Sequence, residues 1–176
     1  MRLFIGLEIP DNVKEQINQY LIPIHQSEKG WEKPHDYHQT LLFIGEASPV
    51  ELEIIKDRLQ RFEFHKFELQ PEKFAFFSRR IMYLSFLKSA DLLELKLKID
   101  ETFPEWFMPE AKPFISHVTV KRWQRYEHNH LTNSLLKQDF QASGFEVSGI
   151  ALFKSEKDAE NNKYHVIFRK NFIKNE

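Results

Sequence analysis

Two short segments of this 176-residue chain carry side chains suited to moving protons near neutral pH: His38-Gln39-Thr40-Leu41 and His117-Val118-Thr119-Val120. Histidine titrates close to neutrality, so one imidazole can accept a proton while another, protonated, donates one. Side chains on a strand alternate between its faces, so the His and Thr of each segment point the same way, with Cα atoms about 7 Å apart. Gln39 and Val118 point to the opposite face. Two such strands facing each other present two imidazoles and two hydroxyls around one small cavity. That set suits phosphodiester cleavage. One imidazole takes a proton from the attacking water, and the other protonates the leaving ribose oxygen. The Thr40 and Thr119 hydroxyls donate to the non-bridging phosphate oxygens. Each proton-transfer partner contributes ~10²–10⁴-fold, and no metal is required.

Other chemistries find less support. The chain has no cysteine, which removes disulfides, thiol catalysis and cysteine zinc sites. His35 with His38, and His128 with His130, have the spacing of metal pairs. No acidic partner sits at a suitable distance from either, so no metal and no cofactor are expected. His25, His65 and His165 read as surface or strand residues. There is no glycine-rich phosphate loop. A formal net charge of −1 excludes a general nucleic-acid coat but leaves room for a local basic cleft. The 17 phenylalanines point to an aromatic-rich β core rather than a base-stacking surface. Glu8 and Pro10 end the first apolar run early, and no later run reaches 18 residues. The expectation is a soluble, cytoplasmic monomer of one two-lobed domain, residues 1–176, with no membrane contact.

The elements that must position the two segments can be read from periodicity. Residues 3–9 form a strand that leads into a helix capped by Asp11, with Val13, Ile17, Leu21 and Ile24 on its apolar stripe. Pro23 should bend or end that helix. A strand over 37–44 follows, stopped by Gly45. Ser48-Pro49-Val50-Glu51 is a helix start with the spacing of a capping box, and Leu52, Ile55, Leu59 and Phe62 face inward. Residues 64–77 and 81–87 read as two strands around Ser78-Arg79-Arg80. Ser89 caps a third helix through Leu92, Leu93 and Leu97, although residues 93–99 also alternate as a strand would. Residues 103–113 form an irregular connection, 117–122 a strand, and 129–138 a short polar helix or loop. Strands over 140–147, 150–154 and 164–169 complete the chain. This order predicts an α+β fold with antiparallel pairing, not a repeated βαβ unit.

Beyond the tetrapeptides, longer blocks resemble the two-histidine phosphoesterase superfamily, and within it the RNA 2′,3′-cyclic phosphodiesterases once described as 2′-5′ RNA ligases. The blocks are residues 3–10, Trp31-Glu32-Lys33-Pro34 with His38 to Gly45, Arg79 to Leu84, Lys112 to Arg122, and the hairpin from Phe153 to Tyr164. The chain departs from the family pattern at Ser116, where proline often precedes the second histidine, and at Gln39, where an apolar residue is usual. The resemblance implies two antiparallel sheets with pseudo-twofold symmetry around a central cleft, and helices on the outer faces. It implies hydrolysis of a terminal 2′,3′-cyclic phosphate on RNA ends or nucleotides to a 2′-phosphate, with His38 as proton donor and His117 as proton acceptor. Rival readings are a phosphodiesterase for other cyclic or 2′-5′ linked nucleotides with minor 2′-5′ RNA ligase activity, and a non-catalytic RNA-end-binding module. The resemblance also places Arg122 near the phosphate. Strict alternation sets Arg122 on the face opposite His117 and Lys121 on the same face, so Arg122 serves only if the strand ends or bulges there. Arg79, Arg80 and Tyr164 are further candidate substrate contacts.

Overall fold

The computed structural model describes residues 1–27, 37–77, 81–107, 113–122, 140–157 and 162–174. Their elements run β1 (Arg2–Glu8), α1 (Asp11–Ser27), β2 (His38–Glu46), α2 (Pro49–Arg61), β3 (Phe67–Leu69) and β4 (Pro71–Phe77). Then follow β5 (Ile81–Phe86), α3 (Ala90–Thr102), β6 (His117–Arg122), β7 (Phe145–Val147), β8 (Gly149–Lys157) and β9 (Asn162–Asn171). All strand pairs are antiparallel, in a four-stranded sheet β2-β1-β8-β9, a three-stranded sheet β4-β5-β6 and a ribbon β3-β7. The α+β expectation holds, and the ribbon is an addition to the two expected sheets.

The same unit is built twice. In β1-α1-β2 and in β5-α3-β6, a helix joins two strands that pair antiparallel. In both, the second strand carries a His-x-Thr segment and forms the edge of its sheet. β2 and β6 approach each other, so the two sheets meet along these edges. One core lies beneath both sheets. It takes Leu3, Ile5 and Leu7 from β1, Leu41 and Leu42 from β2, Met82 and Leu84 from β5, and Val118 and Val120 from β6.

The helices form where capping and periodicity require. Ser48 and Glu51 make a complete capping box at α2, with Pro49 in its first turn, and Ile55 and Leu59 are buried. Ser89 caps α3 by accepting from the Leu92 amide at 3.2 Å. The inward stripe of α3 is Leu92, Leu95, Lys96 and Ile99, while Leu93 and Leu97 face solvent. Helical period thus prevails over the alternating pattern of residues 93–99, and the stripe lies one residue away from that expected through Leu93 and Leu97. Lys96 tolerates its inward position because Asp100 takes its ammonium at 2.5 Å.

Other expectations need correction. Pro23 does not end α1, which runs on to Ser27. Pro23 is exposed, so the carbonyl that loses its partner can turn to water. Residues 64–77 are not one strand. Pro71 lacks the amide hydrogen to continue a ladder, and the chain changes partner there, from β7 to β5. Gln70 secures the switch by donating to the Ala142 carbonyl at 2.8 Å. Gly45 does not stop β2. It adopts φ 82° beside an extra residue at Ile44, and pairing continues to Glu46. The segment 129–138, together with Arg79, Arg80, His35, His128 and His130, lies outside the described residues.

Candidate active site

His38 opens β2 directly after Tyr37, whose buried hydroxyl donates to Asn18 of α1 at 2.9 Å. Burial pushes that phenol well above the usual tyrosine range, so Tyr37 stays neutral and fixes where β2 begins. His38 and Thr40 are half-buried on one face of β2, while Gln39 is fully buried on the other. His117 and Thr119 are likewise half-buried, with Val118 beneath them in the core. The alternation inferred from sequence is therefore present in both strands. Both imidazoles stand on faces turned away from the shared core, along the seam where β2 meets β6.

The two rings sit in different surroundings. The His38 ring lies 4.7 Å from Phe4, 5.4 Å from Phe153 and 4.6 Å from Tyr164, the last edge-on. Phe4 and Phe153 stack at 4.8 Å and 3°. With Ala151 they form a small apolar cluster separate from the main core, a floor under the first histidine. Glu8 is the cross-strand neighbour of His38, and Arg169 clasps its carboxylate with bonds of 2.7 and 2.8 Å. His117 stands edge-on to Phe77 at 4.7 Å and to Tyr83 at 5.6 Å. Its Nδ1 lies 2.8 Å from the Ile115 carbonyl oxygen. A carbonyl can only accept, so Nδ1 carries hydrogen and proton exchange falls to Nε2.

Register settles the face of Arg122. Tyr83 pairs with Thr119 and Met82 with Lys121, so Val120 is an extra residue on β6. Beyond this bulge Ile81 pairs with Arg122. Ile81, Tyr83 and Ser85 share one face of β5, which puts Arg122 on the face of Thr119 and His117. Lys121, expected on the site face by strict alternation, instead pairs with Met82 and is buried at 1 % exposure. The condition under which Arg122 could serve is thus met.

β2 has the matching bulge. Gly6 pairs with Thr40 and Ile5 with Leu42, leaving Leu41 as the extra residue. Phe43 then pairs with Phe4 and joins the face of His38 and Thr40. It is 66 % exposed, and its ring is 6.2 Å from that of Phe4. Phe43 and Arg122 therefore hold equivalent places in the two halves. Sequence reasoning missed Phe43. The readable signal was its spacing, five residues after the histidine in both halves, which becomes a same-face position only with a bulge.

Among the described residues, no three His, Asp or Glu side chains converge where a metal ion could be held. Two surface hollows of about 370 and 490 Å³ lie elsewhere, one beside Arg58 and Lys98 and one beside His65 and Lys174. Neither is lined by a His-x-Thr residue. His65 pairs with Asp91 at 2.9 Å, and His165 lies 3.5 Å from Glu156, as expected of surface residues.

The family described as LigT like phosphoesterase matches residues 7–83, which include the first His-x-Thr strand and the start of β5. Over that segment the chain is similar to the LigT-like phosphoesterases. An RNA 2′,3′-cyclic phosphodiesterase of Archaeoglobus fulgidus is 28 % identical over 131 residues, 71 % of this chain and 74 % of its own. A protein of the same description from Methanocaldococcus jannaschii is 22 % identical over 182 residues, 95 % of this chain and 98 % of its own. Among solved structures, E. coli LigT complexed with NADP+ superposes with a TM-score of 0.80 at 20 % identity, covering 97 % of each chain. The 3′-AMP complex of that protein superposes at 0.76 and 18 % identity with the same coverage. The family match and these relatives support a hydrolase acting on phosphodiester bonds. No helix among the described residues is long and apolar enough to cross a membrane.

Proposed function

We propose that this phosphoesterase hydrolyses a terminal 2′,3′-cyclic phosphate, on RNA or a nucleotide, to a 2′-phosphate by acid–base catalysis from its two His-x-Thr strands. Water attacks phosphorus and passes a proton to Nε2 of His117. The bond from phosphorus to the 3′ oxygen breaks, and His38 protonates that oxygen as it leaves. Thr40 and Thr119 donate to the non-bridging oxygens, and the Arg122 guanidinium balances their charge. Phe43 offers an apolar face to the base.

The observation that carries this division of labour is the 2.8 Å bond from His117 Nδ1–H to the Ile115 carbonyl. It holds the tautomer in which Nε2 can accept. Glu8, held by Arg169, stands opposite His38 across the strand pair and on the same face. The descriptions of the archaeal relatives support the cyclic phosphate, and the nucleotide complexes of E. coli LigT support a nucleotide in the cleft. In this reading the whole chain acts as one two-lobed monomeric unit in the cytoplasm.

The test is product analysis on RNA ending in a 2′,3′-cyclic phosphate, with chelator present throughout. The expected product carries a 2′-phosphate, and the pH–rate profile is bell-shaped and indifferent to chelator. A 3′-phosphate product reverses the choice of leaving oxygen. No turnover by pure protein on any cyclic-phosphate end sinks the reading.

A further inference from the structure

Gln39 stands between the histidine and the threonine of the first strand and turns into the core, where its side chain has 0 % exposure. Its Oε1 accepts a hydrogen bond from Ser116 Oγ at 3.2 Å, and Ser116 directly precedes the second histidine. Its Nε2 is buried without a hydrogen-bond partner. A buried amide with a donor unmet lowers stability, whereas an apolar side chain of similar length does not carry that penalty. Stability alone thus favours an apolar residue at this position. The bond that Gln39 does make crosses a place where backbone pairing is lacking, because β2 and β6 are edges of different sheets. It joins the neighbour of one imidazole to the neighbour of the other.

We propose that the Gln39–Ser116 hydrogen bond is a positioning tie, which fixes the separation of His38 and His117 across the seam at a cost in stability. The proposal rests on the reading of these two histidines as acid and base. Both must reach one phosphate, and a misplacement of about 1 Å in such a pair can reduce rate ~10²-fold. Gln39 itself faces the core and acts through the strand that carries His38 and Thr40. Ser116 acts through the backbone that leads into His117.

The test compares Gln39→Met, Ser116→Ala and the double variant in the full chain, by steady-state kinetics on cyclic-phosphate RNA, melting temperature and the imidazole resonances in NMR spectra. Each single substitution is expected to lower kcat about 10-fold and to leave KM within about two-fold. The double variant should fall no further than the singles, because both remove the same bond. Gln39→Met should melt at or above the wild type while losing rate, which a purely structural role cannot produce. Either single variant should shift the resonances of both His38 and His117. Unchanged kcat in the singles, a double loss equal to the product of the two, or rate loss that tracks a fall in melting temperature overturns the tie. If the wild type turns over no cyclic phosphate, the functional reading fails and the resonances decide the tie alone. Shifts at both histidines uphold it, and shifts confined to the histidine beside the substitution overturn it.

Discussion

The two His-x-Thr strands share one backbone and differ in what surrounds it. Each runs histidine, buried residue, threonine, bulge, buried residue, exposed residue, against an antiparallel partner strand. In the first half the exposed residue is Phe43 and the histidine lies over stacked Phe4 and Phe153. In the second it is Arg122, and a carbonyl holds the imidazole by Nδ1. The repeated backbone supplies symmetry, which in the proposed function places two equal groups on one phosphate. The side chains around it break that symmetry, giving one half an aromatic surface and the other a charge and a fixed tautomer. The substrate proposed above, a cyclic nucleotide, is itself unsymmetrical, with a flat base at one end and an anion at the other, and in that reading Phe43 meets the base and Arg122 the anion.

The largest test of this comparison removes each imidazole. His38→Ala and His117→Ala should each lower kcat/KM by at least ~10²-fold. Each should keep a different limb of the pH–rate bell, the basic limb disappearing without the acid and the acidic limb without the base. If both variants keep the full bell, the halves are not divided as described.

Exchanging the outer residues sharpens the contrast. Arg122→Ala should lower kcat/KM about 10- to 100-fold on every substrate, as expected for a charge-assisted bond to phosphate. Phe43→Ala should raise KM about 10-fold and leave kcat nearly unchanged, as expected for lost stacking on a base. Kinetics on cyclic phosphates with and without a base tell the two apart, since only Phe43→Ala should become neutral when the base is absent.

A smaller effect is expected from the strand facing each motif. Gly6 and Tyr83 are equivalent partners of Thr40 and Thr119. A Cβ on Gly6 would meet the Gln39 carbonyl oxygen at 2.5 Å, backbone that cannot give way cheaply. Gly6→Ala should therefore destabilise by about 2 kcal/mol in urea unfolding. Tyr83→Phe, which keeps the ring against His117, should be nearly silent.

The smallest effect concerns the clasp between the halves. Arg58 at the end of α2 holds Glu105, just past α3, with bonds of 2.8 and 2.7 Å. That hydrogen-bonded guanidinium lowers the Glu105 carboxyl to about 2. A carboxyl depressed on folding stabilises above its ordinary pKa, and the benefit fades as pH falls through the folded value. Glu105→Gln should melt slightly below the wild type at neutral pH, and the gap should close between pH about 4.5 and about 2. Activity should not change, because the clasp lies away from both imidazoles.

The two tetrapeptides, the helix caps and the α+β order were legible in the chain because each depends on local rules. Ser48 with Glu51 and Ser89 with its helix satisfy backbone donors within one turn, and His38 with Thr40 share a face through strand period alone. What escaped depends on partners distant in sequence. Pro71 ends one pairing and begins another only because β7 and β5 lie on either side. Alternation gave the wrong faces for Lys121 and Arg122 because a single extra residue, Val120, shifts every side chain after it. The same shift at Leu41 hid Phe43.

The sequence by itself determined the chemistry available: two imidazoles, two hydroxyls, no thiol, and a period that pairs each histidine with its threonine. Tertiary structure decided which further side chains join them, because a bulge forms where two strands with unequal residue counts must share one ladder. It also joined Gln39 to Ser116, a contact between residues 77 positions apart that no local pattern encodes.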